Sequence, residues 1–342
     1  MPKIRRRPPA QETMLGMVTA FWVSEMLYVA TRLGIADQLA RGPLPVDELA
    51  KRTGVQAPAL RRVLRALASV GVFAETSRGK FKLTPLADTL RSGRPGSLRD
   101  FTLMMSDDYN RGAWAALEHG MRTGELPFDH VHRKPLFAYF RDNPELEGRF
   151  MAAMGSISGT ENAAVARAYP FARVGKLVDV GGAHGHLLAT ILGRHRKLRG
   201  VLYDQPQVVA GAAASGFVTA PAVRDRCEVV GGDFFESVPA GAGGYVMKYI
   251  IHDWDDAKAT RILRNCREGM APEGVVLVVD HVIPPGNDAS WGKLLDVNML
   301  VLPGGMERTR EEFRALLAGA GLRMRRIIPT ACPLSIVEAV AA

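Results

Sequence analysis

Apolar side chains recur every three or four residues over 14–30 (Met14, Met17, Phe21, Met26, Val29), the spacing of an amphipathic helix. LPVDELAKRTG predicts a further helix, with Asp47 near its start and Gly54 just past its end. APALRRVLRALASVG predicts another, with Leu60, Val63, Leu64, Leu67 and Val70 on one side. VFAET and KFKLT then alternate as two short strands joined by a turn at Ser77-Arg78-Gly79. Helix, turn, helix and two-stranded wing make a winged-helix pattern. Residues 101–170 read as helical with breaks at Gly124, Pro127, Pro135 and Pro144. From 175 the texture changes. KLVDVGG, GVLYD, CEVVGGD, GYVMKYI and GVVLVVDHVI are short β-rich runs separated by helical stretches, which predicts a parallel sheet covered on both faces. GLRMRRIIP and CPLSIVEAV are joined only by a turn, so this last pair should be antiparallel. The expected division is a basic disordered tail (1–12), a winged-helix domain (13–100), connecting helices (101–170) and an α/β domain (171–342).

Length and composition fit this picture. The chain has 342 residues, 47% hydrophobic and 23% charged, which is ordinary globular composition and room for two domains. Its net charge of +9 is unevenly placed: residues 1–100 hold 17 Lys and Arg against 8 Asp and Glu, and the remainder is balanced. A basic winged helix raises the question of DNA, and Arg61, Arg62 and Arg65 are suited to meet phosphates. Yet the other positions of that helix are Ala, Leu and Val rather than base-reading residues, so packing against protein is expected and nucleic acid is not. Cys227, Cys266 and Cys332 are far apart with no zinc-type spacing, which suggests reduced thiols in the cytoplasm. KIRRR before MLGMVTAFWV superficially imitates a signal peptide. Gln11 and Glu12 interrupt it, no small-residue cleavage site follows, and no apolar run is long enough to span a membrane.

The chemistry-bearing residues cluster at the ends of the β-rich runs. LVDVGGAHGHLLATIL is strand, Gly-rich turn and helix, the arrangement that lets backbone approach a ligand closely. Asp179 inside that strand is awkward for a pyrophosphate but suits the ammonium-bearing methionine end of S-adenosylmethionine (SAM). Asp204, ending the next strand 25 residues on, is placed to accept from ribose hydroxyls. Asp233 and Phe234 of GGDFF, after the third strand, are placed to bind and stack on an adenine. After the fourth strand comes MKYIIHDWDD. His252 there is a sensible base for a phenol, whose hydroxyl must lose a proton on methylation. A carboxylate would fix its tautomer, and Asp280, ending VVLVVD, and Glu307, in GGMERT, are the candidates. Asp253, Asp255 and Asp256 read as the acidic start of a helix rather than a cation site, and no metal is expected.

These motifs together resemble the winged-helix SAM-dependent O-methyltransferases, which include plant caffeic acid-type, N-acetylserotonin-type and bacterial natural-product enzymes. LGIADQLARGPLPVDELAKRTG, VDVGGAHGHLL, GDFFESVPAGA, KYIIHDWDD, DVNML and GGMERT match in order, and the resemblance runs from residue 13 to 342. It implies a class I SAM-methyltransferase fold: a Rossmann-like doubly wound sheet with an antiparallel C-terminal hairpin, plus an N-terminal helical winged-helix domain that makes the homodimer. It implies SAM against Asp179, Gly181, Gly182, Asp204, Asp233, Phe234 and Lys248, with S-adenosylhomocysteine as product. His252 becomes the base, with Asp280 and Glu307 around it and Asn298 near the substrate. Two departures stand out. Asp280 occupies a position where Glu is usual, one methylene longer, which favours Glu307 as orienter. Ala183 replaces a common Gly in the loop. Residues 101–170 are expected to supply pocket helices. Met154, Met299 and Trp254 are candidate pocket walls, and Ser158 a candidate for the SAM carboxylate. The acceptor expected is a hydroxyl, phenolic, on a small aromatic metabolite. Two other readings stand beside it: a SAM-binding relative with hydroxylase or decarboxylase chemistry, and a SAM-sensing regulator that binds DNA through its winged helix.

Overall fold

The computed structural model describes residues 9–342. They form two compact units, one of the described residues up to Arg111 with Glu145–Ile157, the other of Gly112–Pro144 with Ser158–Ala342. The 25-residue helix Pro144–Ala168 contributes to both. The expected tail over 1–12 lies outside the described residues for 1–8. Its last three residues are not tail at all, because helix Ala10–Val18 already includes them.

The first unit carries the winged-helix elements. Helix Val46–Thr53 stops at Gly54, whose φ of 69° is the left-handed cap that glycine takes at low cost. Helix Ala57–Ser69 buries Leu60, Leu64 and Leu67 and leaves Arg61, Arg62 and Arg65 exposed. Strands Phe73–Glu75 and Lys80–Leu83 pair antiparallel, and Leu44–Pro45 adds a third strand beside the latter. Ahead of them, helices Ala10–Val18 and Ala20–Arg32 leave Met14, Leu15, Met17, Val18, Phe21 and Trp22 exposed. The stretch Ala10–Arg32 has the length and apolar composition of a membrane-crossing helix, although its sequence shows no unbroken apolar run of that length. The polar breaks at Gln11, Glu12 and Glu25 hid this.

The second unit is built on a seven-stranded sheet. In chain order its strands are β1 (Lys176–Val180), β2 (Arg199–Asp204), β3 (Cys227–Gly231), β4 (Ala242–Lys248), β5 (Met270–Asp280), β6 (Leu322–Pro329) and β7 (Ser335–Ala341). Their spatial order is β6-β7-β5-β4-β1-β2-β3. The five inner-to-edge strands from β5 to β3 run parallel, and β7 is antiparallel to both its neighbours, as the tight final connection requires. Side-chain alternation divides the core. Val178, Val180, Tyr245 and Met247 pack under helices Asp256–Gly269 and Arg310–Gly319, while Leu177, Leu202, Val246 and Leu277 pack under helix His186–Arg194. Strand order reverses between β1 and β4. Loops leaving the carboxyl ends of these two strands diverge to opposite sides and open the crevice where sheets of this type bind ligands.

Candidate functional site

The Gly-rich loop leaves β1 beneath that crevice. Gly181 has a φ of 68°, and a Cβ on it would meet Ile250 Cδ1 at 2.4 Å and Phe234 Cε1 at 3.6 Å. A Cβ on Gly182 would meet Leu202 Cδ1 at 2.5 Å and the Asp179 carboxyl at 2.8 Å. Both positions therefore need glycine, and both lie against residues of the candidate site. Ala183 adopts a left-handed φ of 49°, which an alanine tolerates only at some strain. Its N–H donates to Asp204 Oδ2 at 2.8 Å, tying the loop to the end of β2. Asp204 Oδ1 accepts from Gln205 N, and burial pushes its carboxyl above the usual range.

Asp179 is buried, and its Oδ2 has no hydrogen-bond partner. Burial raises its carboxyl to about 7, against the pull of Lys248. A buried carboxylate oxygen without a donor is costly. The unpartnered oxygen and the glycine-lined approach fit a ligand that carries an ammonium group. Lys248, ending β4, donates to Ser158 Oγ at 3.0 Å and to Glu161 Oε2 at 3.3 Å. Asp233 accepts from Phe235 N at 2.8 Å and so shapes the loop after β3.

His252 lies in a short 3-10 turn, Ile251–Asp253, just past β4. It is buried, and its Nδ1 lies 2.7 Å from Glu307 Oε1, itself buried. With Nδ1–H donating to Glu307, Nε2 is the nitrogen left to exchange a proton with a substrate. Asp280 takes a different part. Its Oδ1 accepts from Tyr249 N at 3.0 Å, Oδ2 is unpartnered, and burial raises its carboxyl to about 7. It acts on His252 through charge alone. Burial lowers the imidazole, but Asp253, Glu307 and Asp280 outweigh it and raise His252 to about 10.

Several residues in this cluster were not legible as site residues. Asp253 was expected to open a helix with Asp255 and Asp256. Asp255 does cap helix Asp256–Gly269, but Asp253 instead places Oδ1 3.5 Å from His252 Nε2, and burial raises its carboxyl to about 6. Tyr249 has a φ of 58°, a strained conformation for a bulky residue. It stacks on His252 with ring centroids 5.1 Å apart and donates to Glu161 Oε1 at 2.9 Å, joining the Lys248 group to His252. Glu161 comes from a helix with no local motif.

The loop carrying Glu307 is fitted to His252 by close backbone contact. A Cβ on Gly305 would fall 1.9 Å from His252 O, and Met306 N donates to that same oxygen at 2.9 Å. Thr309 then starts helix Arg310–Gly319 with a capping box to Glu312. Arg308 is buried and donates to the carbonyls of Ile251 (3.1 Å), Trp254 (2.9 Å) and Met306 (3.3 Å), and to Asp256. It therefore holds the backbone on both sides of His252. Arg308→Met takes the Arg donor from three carbonyls; that of Ile251 keeps Trp254 N at 3.3 Å, while those of Trp254 and Met306 are left short, each costing about 1–3 kcal/mol. We expect a loss of roughly 3 kcal/mol or more in denaturant unfolding and a fall in kcat. Unchanged stability would remove Arg308 from this role.

The remaining candidates scatter. Trp254 packs in an aromatic group with Phe235 (4.9 Å), Phe137 (5.8 Å) and Phe234 (6.3 Å). Asn298 Oδ1 accepts from Trp114 Nε1 at 3.1 Å. Met299 is buried on helix Trp291–Val301. Met154 belongs to the first unit.

The O-methyltransferase domain family matches residues 114–323, and the O-methyltransferase dimerisation domain family matches residues 15–93. The chain belongs to the O-methyltransferase family. It is a SAM-dependent O-methyltransferase and a homodimer, and the exposed apolar helices at the start of the first unit lie largely in the dimerisation match. It is 45% identical to the phenazine O-methyltransferase of Lysobacter antibioticus over 97% of this chain and 96% of that one. The crystal structure of LaPhzM superposes with a TM-score of 0.92 at 43% identity, covering 98% of this chain and 100% of that one. An O-methyltransferase from neocarzinostatin biosynthesis, solved with S-adenosylhomocysteine and 1,4-dihydroxy-2-naphthoic acid, superposes with a TM-score of 0.78 at 34% identity over 93% of this chain and 96% of that one. The relatives are methyltransferases of natural-product biosynthesis and include N- as well as O-methyltransferases.

Proposed function

We propose that this enzyme methylates a phenolic hydroxyl of a small fused-ring aromatic metabolite, with His252 as general base. The buried His252–Glu307 pair, 2.7 Å apart, is the observation that carries this reading. Bound SAM supplies a methyl group already activated on a sulfonium. Asp179, with its unpartnered oxygen, would hold the ammonium, and Gly181 and Gly182 would admit the close backbone approach. Asp204 would serve the ribose and Asp233 and Phe234 the adenine, with Lys248 and Ser158 completing that side. Asn298, Met299 and Trp254 are the candidate substrate contacts.

His252 takes the hydroxyl proton at Nε2. Glu307 fixes the tautomer by accepting at Nδ1 and stabilises the imidazolium that forms. Asp280 and Asp253 add negative charge around that imidazolium, and Asp280 also holds the strained Tyr249 backbone. Among O- and N-acceptors, a dedicated base favours the hydroxyl, whose proton must leave as the new bond forms. The names of the relatives point to phenazines and hydroxynaphthoates. We place the enzyme in the cytoplasm, in keeping with three unpaired cysteines.

The test is methyl transfer from labelled SAM to hydroxyphenazines, hydroxynaphthoates and hydroxyanthraquinones, with phenazine-1-carboxylate as a nitrogen acceptor. The expected product is a methyl ether on one aromatic ring. Exclusive N-methylation, or a hydroxylated or decarboxylated product, would overturn the reading.

A further inference from the structure

A second cluster of chemically capable side chains lies on the two short helices of the second unit, Leu117–Thr123 and Pro127–His132. The first ends at Gly124, whose φ of 76° turns the chain back. Gly120 is buried, and a Cβ on it would come within 2.7 Å of Pro127 Cγ. Only glycine permits this approach, and the approach brings His119 and His130 face to face. Their rings stack with centroids 3.6 Å apart and planes 26° from parallel. Both aim a nitrogen at one carboxylate oxygen: His119 Nε2 lies 2.7 Å and His130 Nδ1 3.3 Å from Glu125 Oε2.

We propose that His119, Glu125 and His130 form a solvent-open binding site for a zinc-class divalent cation. The three donor atoms lie within 4.8 Å of one another. Zinc bonds to nitrogen and oxygen run about 2.0–2.2 Å, so tetrahedral ligands stand roughly 3.4 Å apart. The two separations from Glu125 Oε2, 2.7 and 3.3 Å, lie just below that value, and small side-chain rotations of the two half-buried imidazoles and the exposed carboxylate suffice to reach it. In the metal-free protein each imidazole can donate N–H to Glu125. In the opposite tautomer the same two nitrogens offer lone pairs to the point where the carboxylate oxygen already converges. One dication there takes the place of two protons on stacked rings that would repel if both were charged. Side-chain exposures of 32% for His119 and 46% for Glu125 leave a fourth position for water. Two imidazoles and a carboxylate select zinc, nickel or copper over magnesium or calcium. Asp129, next to His130 in the chain, keeps Oδ1 buried without a hydrogen-bond partner.

The site has a mechanical link to catalysis. Leu126, between Glu125 and Pro127, packs on Gly304, where a Cβ would meet its Cδ1 at 2.7 Å. Gly304 opens the loop that continues through Gly305 to Glu307. A cation that stiffens the corner at Glu125 therefore braces the loop bearing the partner of His252. The three ligands come from two helices and the link between them, a spacing that matches no recurring metal motif.

The test uses the untagged, chelator-treated dimer. Zinc titrated by calorimetry should bind one ion per chain, and a large excess of magnesium should not displace it. His119→Asn with His130→Asn should weaken binding by well over the roughly 10–100-fold that supporting residues around a metal contribute. X-ray absorption of the zinc-loaded wild type gives a result independent of any variant: a shell of nitrogen and oxygen near 2.0 Å with no sulfur is expected. No zinc binding, binding that survives the double substitution, or a sulfur shell from Cys227 or Cys332 would each overturn the proposal.

Discussion

His252→Ala is expected to lower kcat for a weakly acidic phenol by about 10²–10⁴, the usual contribution of a positioned general base. The variant should still fold, since Arg308 and its backbone contacts remain, but with reduced stability because Glu307 and Asp280 lose their buried positive partner. The wild-type pH profile carries the sign of the argument. His252 is raised to about 10, chiefly by Asp253 and Glu307 acting against burial, so the basic form grows as pH climbs through the alkaline range. kcat/KM should therefore rise over that range rather than level off near neutrality. Glu307→Gln removes one of the groups that raise His252, so the rise should move to lower pH while the maximal rate falls through loss of the fixed tautomer. The stability linkage runs the same way. A folded-state value above the unfolded 6.5 means that the contribution of His252 is complete below about 6.5 and is lost as pH rises toward 10. His252→Ala should thus cost most stability in mildly acid solution.

Asp179→Asn is expected to act oppositely on binding and on stability. Asp179 is raised to about 7 by burial, so the folded protein retains a proton there that the unfolded chain has released above about 4. Its stabilising effect is complete in acid and disappears as pH rises through 7, leaving a buried, partly unsatisfied carboxylate. An amide of the same shape avoids that cost, worth on the order of 1–3 kcal/mol. Without SAM the variant should melt a few degrees higher at pH 8, with the advantage shrinking below pH 6. SAM affinity should fall by about 10²-fold, as when one member of a buried charged pair is truncated. A variant that melts lower at pH 8 yet binds SAM normally would remove Asp179 from the cofactor site.

The parts of this enzyme legible in its sequence are those where chemistry and chain order coincide. Asp179, Gly181, Asp204 and Phe234 sit at strand ends, where a residue's place in the motif is also its place in space. The antiparallel end of the sheet followed from the short link between β6 and β7. Sequence favoured Glu307 over Asp280 only through side-chain length, because both lie far along the chain from His252. In the structure a single hydrogen bond distinguishes them. Arg308, Tyr249 and Glu161 act through backbone carbonyls, a positive φ and a partner 88 residues away, none of which leaves a local pattern. The helix Ala10–Arg32 shows another limit. Its composition fits a membrane, and only the match to a dimerisation domain supplies its other partner.

The most direct test of the central claim is the rate of methyl transfer at one pH to a series of phenols graded in acidity, for wild type and His252→Ala. If His252 removes the proton, the variant's deficit should be small for phenols already ionised at that pH and should grow steadily as the acceptor becomes less acidic. A deficit that is the same for every phenol would mean that His252 only positions the substrate, and would contradict its assignment as the base.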